Sequence, residues 1–198
     1  MRYLESTNQL VLTLKAEELT VIKWWVDASY AVHGNMRSHT GATMTLGGGA
    51  VYSKSSKQKL NTKSSTEAEL VAASDMSGQI LWTKQFLCHQ GYEVKRNILY
   101  QDNKSAILLE KNGSLSSSQR TRHINVRYFF IKDKVDQGDI EIVYCPTRDM
   151  LGDYFTKPLQ GNQFRKFRER ILGLSYAKIQ EGVADPVNTR IVTKASEF

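Results

Sequence analysis

The chain has 198 residues, which is enough for one full-sized domain with short extensions at its ends. Hydrophobic residues make up 40% of it and charged residues 24%, as in ordinary globular proteins. It lacks an apolar run of the ~18 residues that a membrane span needs, and its first residues are too polar for a secretory signal. The formal net charge of +7 favours a polyanionic partner, nucleic acid ahead of a membrane surface.

The two cysteines, Cys88 and Cys145, lie far apart in the sequence and do not have the spacing of a zinc site. Free thiols in a reducing compartment are therefore expected, and no disulfide. With no secretion signal in view, the predicted location is the cytoplasm.

The first half of the chain predicts three strands followed by a long helix. Residues 21–29 are β-branched and aromatic up to Asp27, and a turn-rich stretch follows them. Residues 40–60 form two further short strands around a glycine turn, as in an antiparallel hairpin. The stretch KSSTEAEL then contains S/T-x-x-E spacings typical of a capping box, and helical periodicity continues as far as Gly91.

The second half alternates strands and helices. Strands are predicted at 97–102 and 140–146, and helices at 104–113, 123–138 and 148–157, the last with Asp149 as its N-cap. The order β-β-β-α-β-α-α-β-α predicts an α/β fold. Its five-stranded mixed sheet has three antiparallel strands, then parallel ones, with helices on both faces.

Four acidic residues are placed where they could meet. Asp27 and Asp102 end strands, Glu67 lies in the first turn of the long helix, and Asp153 lies in the last short helix. If the two strands are parallel neighbours, their carboxylates emerge at the carboxyl edge of the sheet, where open α/β sheets bind ligands. Clustered carboxylates repel one another unless cations neutralise them, and Mg²⁺ prefers oxygen ligands. The pattern predicts two Mg²⁺ ions, with Mn²⁺ as a substitute, clamping a phosphoryl displacement.

Each acid also has an ordinary structural interpretation when taken alone. Glu67 suits a capping box, and Asp27 or Asp102 suits the turn after a strand. Asp153 alone would be a solvated helix residue. Glu69, two positions after Glu67, is expected to face elsewhere on the helix as a cap or surface charge.

Several blocks of sequence resemble the ribonuclease H domain of copia-type (Ty1/copia) retrotransposon polyproteins, over about residues 20–170. The blocks are VDASY, STEAEL, YQDNKSAILLEKNG, RTRHINVRYFFIKD and VYCPTRDMLGDYFTKPLQG. The resemblance implies a ribonuclease H-like fold and a catalytic, metal-binding tetrad at Asp27, Glu67, Asp102 and Asp153. The implied activity is cleavage of the RNA strand of an RNA–DNA hybrid, leaving a 3′-hydroxyl and a 5′-phosphate.

The resemblance also implies a domain organisation and partners. Residues 1–20 look like the end of a preceding reverse transcriptase, residues 21–170 form the ribonuclease H-like domain, and residues 171–198 are a polar tail expected to be flexible. The polymerase domain of the parent polyprotein is a candidate partner, and an active element implies a virus-like particle. The loop CPTRDM lacks the histidine that cellular and retroviral relatives carry, which implies slower or differently assisted product release.

Basic and polar residues near the acids are candidates for contacts to the hybrid, since lysines bind backbone phosphates and polar groups can contact the 2′-hydroxyl. A solvated loop kept soluble by its lysines is the competing interpretation. Trp24, Trp25 and the aromatic cluster 128–130 are expected in the core. The predicted nucleic-acid contacts are Lys54, Lys57, Lys59, Asn61, Lys63, Asn103, Ser105, Arg120, Arg122 and His123.

Two other functions fit parts of the pattern. An integrase or transposase core shares the sheet and the metal chemistry, but its acids come in the order Asp, Asp, Glu, whereas here the order is Asp, Glu, Asp, Asp. A catalytically inactive, hybrid-binding remnant of a degraded element would keep the basic surface without cutting. An assay of hybrid cleavage with and without divalent metal separates these alternatives.

Overall fold

The computed structural model describes residues 2–17, 19–112 and 122–174. Two 3₁₀ helices, Thr147–Asp149 and Leu151–Phe155, lie between the last strand and the last α-helix. The α-helices are Arg2–Ser6 (α1), Ser65–His89 (α2), Lys104–Asn112 (α3), Arg122–Asp136 (α4) and Gly161–Leu172 (α5). The strands are Lys15–Ala16 (β1), Val21–Ser29 (β2), His39–Thr45 (β3), Gly47–Gly48 (β4), Tyr52–Lys57 (β5), Arg96–Gln101 (β6) and Glu141–Tyr144 (β7).

The main sheet has five strands in the order β5-β3-β2-β6-β7. β2, β3 and β5 pair antiparallel, whereas β6 is parallel to both β2 and β7. The predicted mixed sheet, antiparallel and then parallel, is confirmed. Because β2 and β6 are parallel neighbours, both strands end at the same edge of the sheet.

Both faces of β2 are buried, which explains why its sequence is almost continuously apolar. Trp24 and Val26 lie in the main core, which also takes in Leu70 of α2. Trp25 points to the opposite face, where its ring stacks on that of Tyr100 at 5.0 Å between centroids. Both tryptophans are buried, so the expectation that they belong to the core is confirmed.

The second face of the sheet is covered by the 3₁₀ helices and by α5, an element that the sequence reasoning missed. Phe167 of α5 is fully buried with Trp25, Met150 and Leu151. The helix ends at Gly173, whose φ of 71° is the left-handed conformation of a C-terminal cap. The apolar spacing of Phe164, Phe167 and Ile171, followed by this glycine, is the signal that could have revealed α5.

The predicted helix over 148–157 is wrong in type, because the chain forms two 3₁₀ helices there. Asp149 is not an N-cap: the N-cap positions are Pro146 and Met150. The Asp149 carboxylate instead pairs with Lys166 of α5 at 2.7 Å. The segment is thereby tied to the helix that covers it.

Two glycines let the second 3₁₀ helix approach the sheet closely. A Cβ on Gly41 would lie 2.6 Å from Thr156 Cγ2 and 2.7 Å from the Gly152 carbonyl oxygen. A Cβ on Gly152 would lie 2.9 Å from both Cβ and N of Asp27. The absence of side chains at these two positions therefore allows the second 3₁₀ helix to pack against the end of β2.

The stretch before β2 is bonded to the rest of the fold. Thr13 N donates to Leu172 O at 2.8 Å, and Glu17 N donates to Leu46 O at 3.0 Å. β1 pairs antiparallel with β4. Residues 13–17 thus bridge the end of α5 and the turn after β3.

The aromatic cluster of α4 differs from the expectation. Phe129 and Phe130 are 50% and 42% exposed, so their assignment to the core is wrong, and the side chain of Tyr128 lies outside the described residues. Ile131 is the buried contact of this helix with the core. In the part of the chain that the structure describes, no helix has the length and apolar character needed to span a membrane.

Gly152→Ala should lower the free energy of unfolding by about 1–3 kcal/mol, because the added methyl group collides with the backbone and Cβ of Asp27. Gly78→Ala is the matched control. Gly78 is exposed in α2 with open space around it, so an alanine there should raise stability by about 0.5–1 kcal/mol. Denaturant unfolding followed by circular dichroism measures both changes. Equal effects of the two substitutions would contradict the close approach.

Glu110 of α3 gives a second test of the packing. It is fully buried, and both of its carboxylate oxygens are without a hydrogen-bond partner in the described part of the chain. Burial raises its pKa to about 8. A raised pKa means that the neutral form is favoured by folding. The neutral Glu110 carboxyl therefore makes its full contribution to the free energy of unfolding below the pKa that it has in the unfolded chain. The protein loses this contribution as the pH rises to about 8.

Glu110→Gln should remove that part of the pH dependence. For each pH unit between about 5 and 8, this one group should lower the free energy of unfolding of the wild type by up to about 1.4 kcal/mol. The variant should not show this decrease. Urea unfolding at pH 5 and pH 8.5 gives the difference, with substitution of the exposed Glu93 by glutamine as the control. Parallel pH profiles of the wild type and Glu110→Gln would refute the prediction.

Candidate metal centre

Three carboxylates meet where β2 and β6 end. Asp27 belongs to β2, Asp102 directly follows β6, and Glu69 lies in α2. Each offers an oxygen, and these oxygens all lie within 4.8 Å of one another. The parallel pairing of β2 with β6 brings the two aspartates together, as expected for the carboxyl edge of a sheet.

Glu69, and not Glu67, is the helix acid that joins this group. Glu67 Oε2 accepts a hydrogen bond from Lys63 N at 2.7 Å, and Ser64 Oγ accepts one from Glu67 N at 3.2 Å. This arrangement resembles a capping box displaced by one residue, because the carboxylate accepts from Lys63 N and not from the N-cap Ser64, and it turns the Glu67 carboxylate back to the start of α2. The structure therefore places Glu67 outside the acidic group, and the expectation that Glu69 faces elsewhere is wrong.

The geometry of the helix explains the exchange. Residues two apart on an α-helix lie on nearly opposite sides, so only one of the two glutamates can face the strands. Glu69 shares its side with Ala72, Ala73 and Met76, which are buried against the sheet. An acid on the apolar side of the helix was the signal that could have identified it.

Glu69 is buried with only partial compensation, from a backbone hydrogen bond with Ala28 and from the charge of Lys157. Its Oε2 has no hydrogen-bond partner within the described residues, and only 5% of the residue is exposed. Burial, followed by the charges of Asp27 and Asp102, raises the pKa of Glu69 well above its usual value. An unpaired buried carboxylate beside two others is costly, which is the situation that a bound cation relieves.

Asp153 lies at the same edge, as the sequence predicted, but it is paired with a lysine. Its Oδ1 lies 2.7 Å from Lys157 Nζ, which is also 3.6 Å from Asp27 Oδ1. Burial and the nearby charge of Asp27 raise the pKa of Asp153 to about 7, against the opposing effect of Lys157. Because Asp153 and Asp27 share the Lys157 ammonium, these acids belong to one electrostatic site.

Two threonine hydroxyls hold one oxygen of each aspartate. Thr147 Oγ1 donates to Asp102 Oδ2 at 2.8 Å, and Thr156 Oγ1 donates to Asp27 Oδ2. Both threonines lie in the segment 147–157, which also carries Asp153 and Lys157. This segment therefore orients the two aspartates. No sequence pattern predicted these partners.

The donor set fits a hard divalent cation. Asp27, Glu69 and Asp102 offer carboxylate oxygens at mutual distances that one ion can span. The threonines occupy only one oxygen of each aspartate, and the second oxygen of Asp27, Oδ1, lies 3.6 Å from Lys157 Nζ. The buried, unpartnered oxygen of Glu69 is the independent sign that a ligand belongs here.

The predicted nucleic-acid contacts on β5 and just after it lie on both faces of that strand. Lys57 is exposed at the end of β5, and Lys59, Asn61 and Lys63 are exposed between β5 and the start of α2. Lys54 projects from the opposite face of β5, since it is three residues before Lys57 on a strand.

The remaining predicted contacts are spread around the start of α3 and beyond it. Asn103 caps α3, because its Oδ1 accepts a hydrogen bond from Ala106 N at 3.1 Å, and Ser105 is exposed. Arg120 lies outside the described residues. The side chains of Arg122 and His123 do so as well, although their backbone begins α4.

Comparison with known proteins identifies relatives of this chain. It is 34% identical over 172 residues to the Pol polyprotein of transposon TNT 1-94 from Nicotiana tabacum, an alignment covering 86% of the chain and 13% of the polyprotein. It is 32% identical over 173 residues to that of transposon RE1 from Arabidopsis thaliana, covering 86% and 12%. The chain is homologous to a segment of retrotransposon Pol polyproteins. The predicted relationship is confirmed, and the chain spans about an eighth of the length of these relatives. No family model matches it.

Solved structures similar to the chain are more distant in sequence. One is LC11-RNase H1, isolated from compost, with 14% identity and a TM-score of 0.46 over 65% of this chain and 86% of that one. Another is the protease–reverse transcriptase of prototype foamy virus, with 10% identity and a TM-score of 0.42 over 83% of this chain and 22% of that one.

The two neighbouring glutamates make a decisive pair of variants. Glu69→Gln should abolish tight Mn²⁺ binding and stabilise the metal-free protein, because it removes a buried charge. Glu67→Gln should leave Mn²⁺ binding within about twofold and cost about 0.5–1 kcal/mol of stability through the weakened cap. Isothermal titration calorimetry and thermal unfolding, applied to both variants, measure the two effects. Loss of binding in Glu67→Gln alone would restore the assignment made from sequence.

Proposed function

We propose that the chain is a metal-dependent endoribonuclease that hydrolyses the RNA strand of RNA–DNA hybrids during retrotransposon reverse transcription. The observation that carries the proposal is the convergence of Asp27, Glu69 and Asp102, with Asp153 beside them, in a protein of net charge +7. An acidic pocket in a basic protein suits metal-assisted cleavage of a polyanion. The relationship to retrotransposon polyproteins supports the same assignment.

The proposed catalytic residues are Asp27, Glu69, Asp102 and Asp153, which revises the tetrad expected from the sequence at one position. Mg²⁺ bound there, with Mn²⁺ as a substitute, would supply an activated water and charge stabilisation for the leaving oxygen in a two-metal reaction. The protein's own contribution is to hold the carboxylates in place. The Thr147 and Thr156 hydroxyls lock one oxygen of Asp102 and Asp27, so little reorganisation is needed when a ligand arrives.

The hybrid would be held mainly through its backbone. The exposed lysines at 57, 59 and 63 lie just before α2, the helix whose early turns contribute Glu69. Contacts of this kind are independent of sequence and weaken as salt is added. Asn103 and Ser105, next to Asp102 in the chain, are the proposed contacts for the 2′-hydroxyl groups that distinguish RNA from DNA.

The polymerase domain of the same polyprotein is the proposed protein partner, since the chain covers about an eighth of its relatives. Val11, Leu12 and Leu14, just ahead of β1, are exposed apolar side chains suited to such a contact. The cytoplasm, or a virus-like particle of an active element, is the proposed location.

The assignment is tested with labelled nucleic acids and purified protein. In Mg²⁺ the protein should cut an RNA–DNA hybrid, leaving 5′-phosphate ends, and should spare duplex DNA and single-stranded RNA. Asp102→Asn should reduce cutting to the metal-free background while keeping hybrid affinity within about twofold, because phosphate contacts dominate binding. Binding of the hybrid by folded wild type without cutting, in Mg²⁺ and in Mn²⁺, would select the inactive remnant instead.

A further inference from the structure

Lys157 occupies an unusual place for a lysine at a cation site. Its ammonium lies between Asp153 and Asp27, at 2.7 Å and 3.6 Å from their Oδ1 atoms. Both aspartates are almost completely buried, whereas 37% of the lysine side chain is exposed. The position is built in by the chain turn, because Lys157 N donates to Asp153 O at 3.0 Å and thus keeps the two side chains together.

The two sides of Asp27 are electrostatically different. On one side Asp27 meets Glu69 and Asp102, whose charges have no lysine or arginine ion-pair partner in the described part of the chain. On the other side Asp27 and Asp153 already share the ammonium of Lys157. A divalent ion therefore meets two carboxylates without an ion-pair partner among the described residues, Glu69 and Asp102, on one side of Asp27, and on the other side a pair of carboxylates that already shares one ammonium.

The formal charges sharpen this difference. Four carboxylates and one lysine carry −3, so one divalent ion leaves −1 and a second would leave +1. A second ion in the free protein would therefore meet both a competing ammonium and an unfavourable net charge. A scissile phosphate would supply the missing negative charge, and it would give Lys157 another anionic partner.

We propose that Lys157 fills the second cation position between Asp27 and Asp153 in the free protein, so that only one divalent ion binds tightly. The tight ion belongs to Asp27, Glu69 and Asp102, and the second ion binds only when the ammonium moves away from Asp153. This inference rests on the proposed function for its setting. Lys157 is accordingly a positioning residue that couples entry of the second ion to arrival of the substrate phosphate.

The lysine has the freedom that this role needs. Its side chain has four rotatable bonds and is partly exposed, so the ammonium can leave the aspartates without unfolding any element. Asp153 has no such freedom. It sits in the second 3₁₀ helix, which Gly41 and Gly152 hold against the sheet.

Calorimetric titration of the hybrid-free protein with Mn²⁺ at pH 8.5 tests the proposal. The wild type should bind one ion tightly, whereas Lys157→Met should bind a second ion at least about tenfold more tightly than the wild type does, the equivalent of one pKa unit of competition. Lys157→Arg should behave like the wild type, because it keeps the charge. Lys132→Met is the matched control, since Lys132 makes an ion pair of the same i,i+4 spacing with Asp136 on α4, outside the acidic group.

Electron paramagnetic resonance of free Mn²⁺ gives the stoichiometry independently, and Lys157→Gln replaces Lys157→Met if the latter does not fold. Two equally tight ions in the wild type, or identical binding by wild type and the neutral variants, would overturn the proposal. Failure of the proposed function looks different: the wild type would bind no divalent ion, or would bind ions and hybrid without cutting. The ion count and the cleavage assay therefore separate the two failures.

Discussion

The mutual repulsion of buried carboxylates is the main constraint on this structure. Asp27, Glu69 and Asp102 are brought within 4.8 Å of one another at the edge where β2 and β6 end, and Asp153 lies beside them. Such a group destabilises a fold unless other charges and hydrogen bonds compensate. The segment 147–157 supplies that compensation through two hydroxyl donors and one ammonium. Glu69 is compensated only in part, and its Oε2, which has no hydrogen-bond partner within the described residues, is available to a metal ion.

The packing of the second face serves the same site. Gly41 and Gly152 allow a backbone segment to lie directly on the sheet beside Asp27, where any larger residue would collide. α5 then covers that segment, with Phe167 fully buried against Trp25 and the Lys166–Asp149 ion pair at its side. The helix that the sequence reasoning missed is therefore part of what positions the acidic edge of the sheet.

Local sequence patterns were sufficient to predict the sheet and the acids at the ends of its strands. The apolar run of β2 ending at Asp27, and the later alternation of strands and helices, predict a mixed sheet with two aspartates at one edge. The local sequence does not determine whether Glu67 or Glu69 joins the acidic group, because both glutamates fit a capping-box spacing. The packing of α2 on the sheet decides which one faces inward. Thr156 and Lys157 reach Asp27 from more than a hundred residues away, so no sequence spacing predicted those contacts.

The central claim is that Glu69, together with Asp27 and Asp102, holds a divalent cation. Anomalous diffraction from crystals soaked in Mn²⁺ tests it most directly. We expect a strong peak in contact with carboxylate oxygens of those three residues, with the Glu67 carboxylate still bonded to the backbone at the start of α2. A peak coordinated by Glu67 while Glu69 stays out of contact, or no peak at this edge at saturating Mn²⁺, would contradict it.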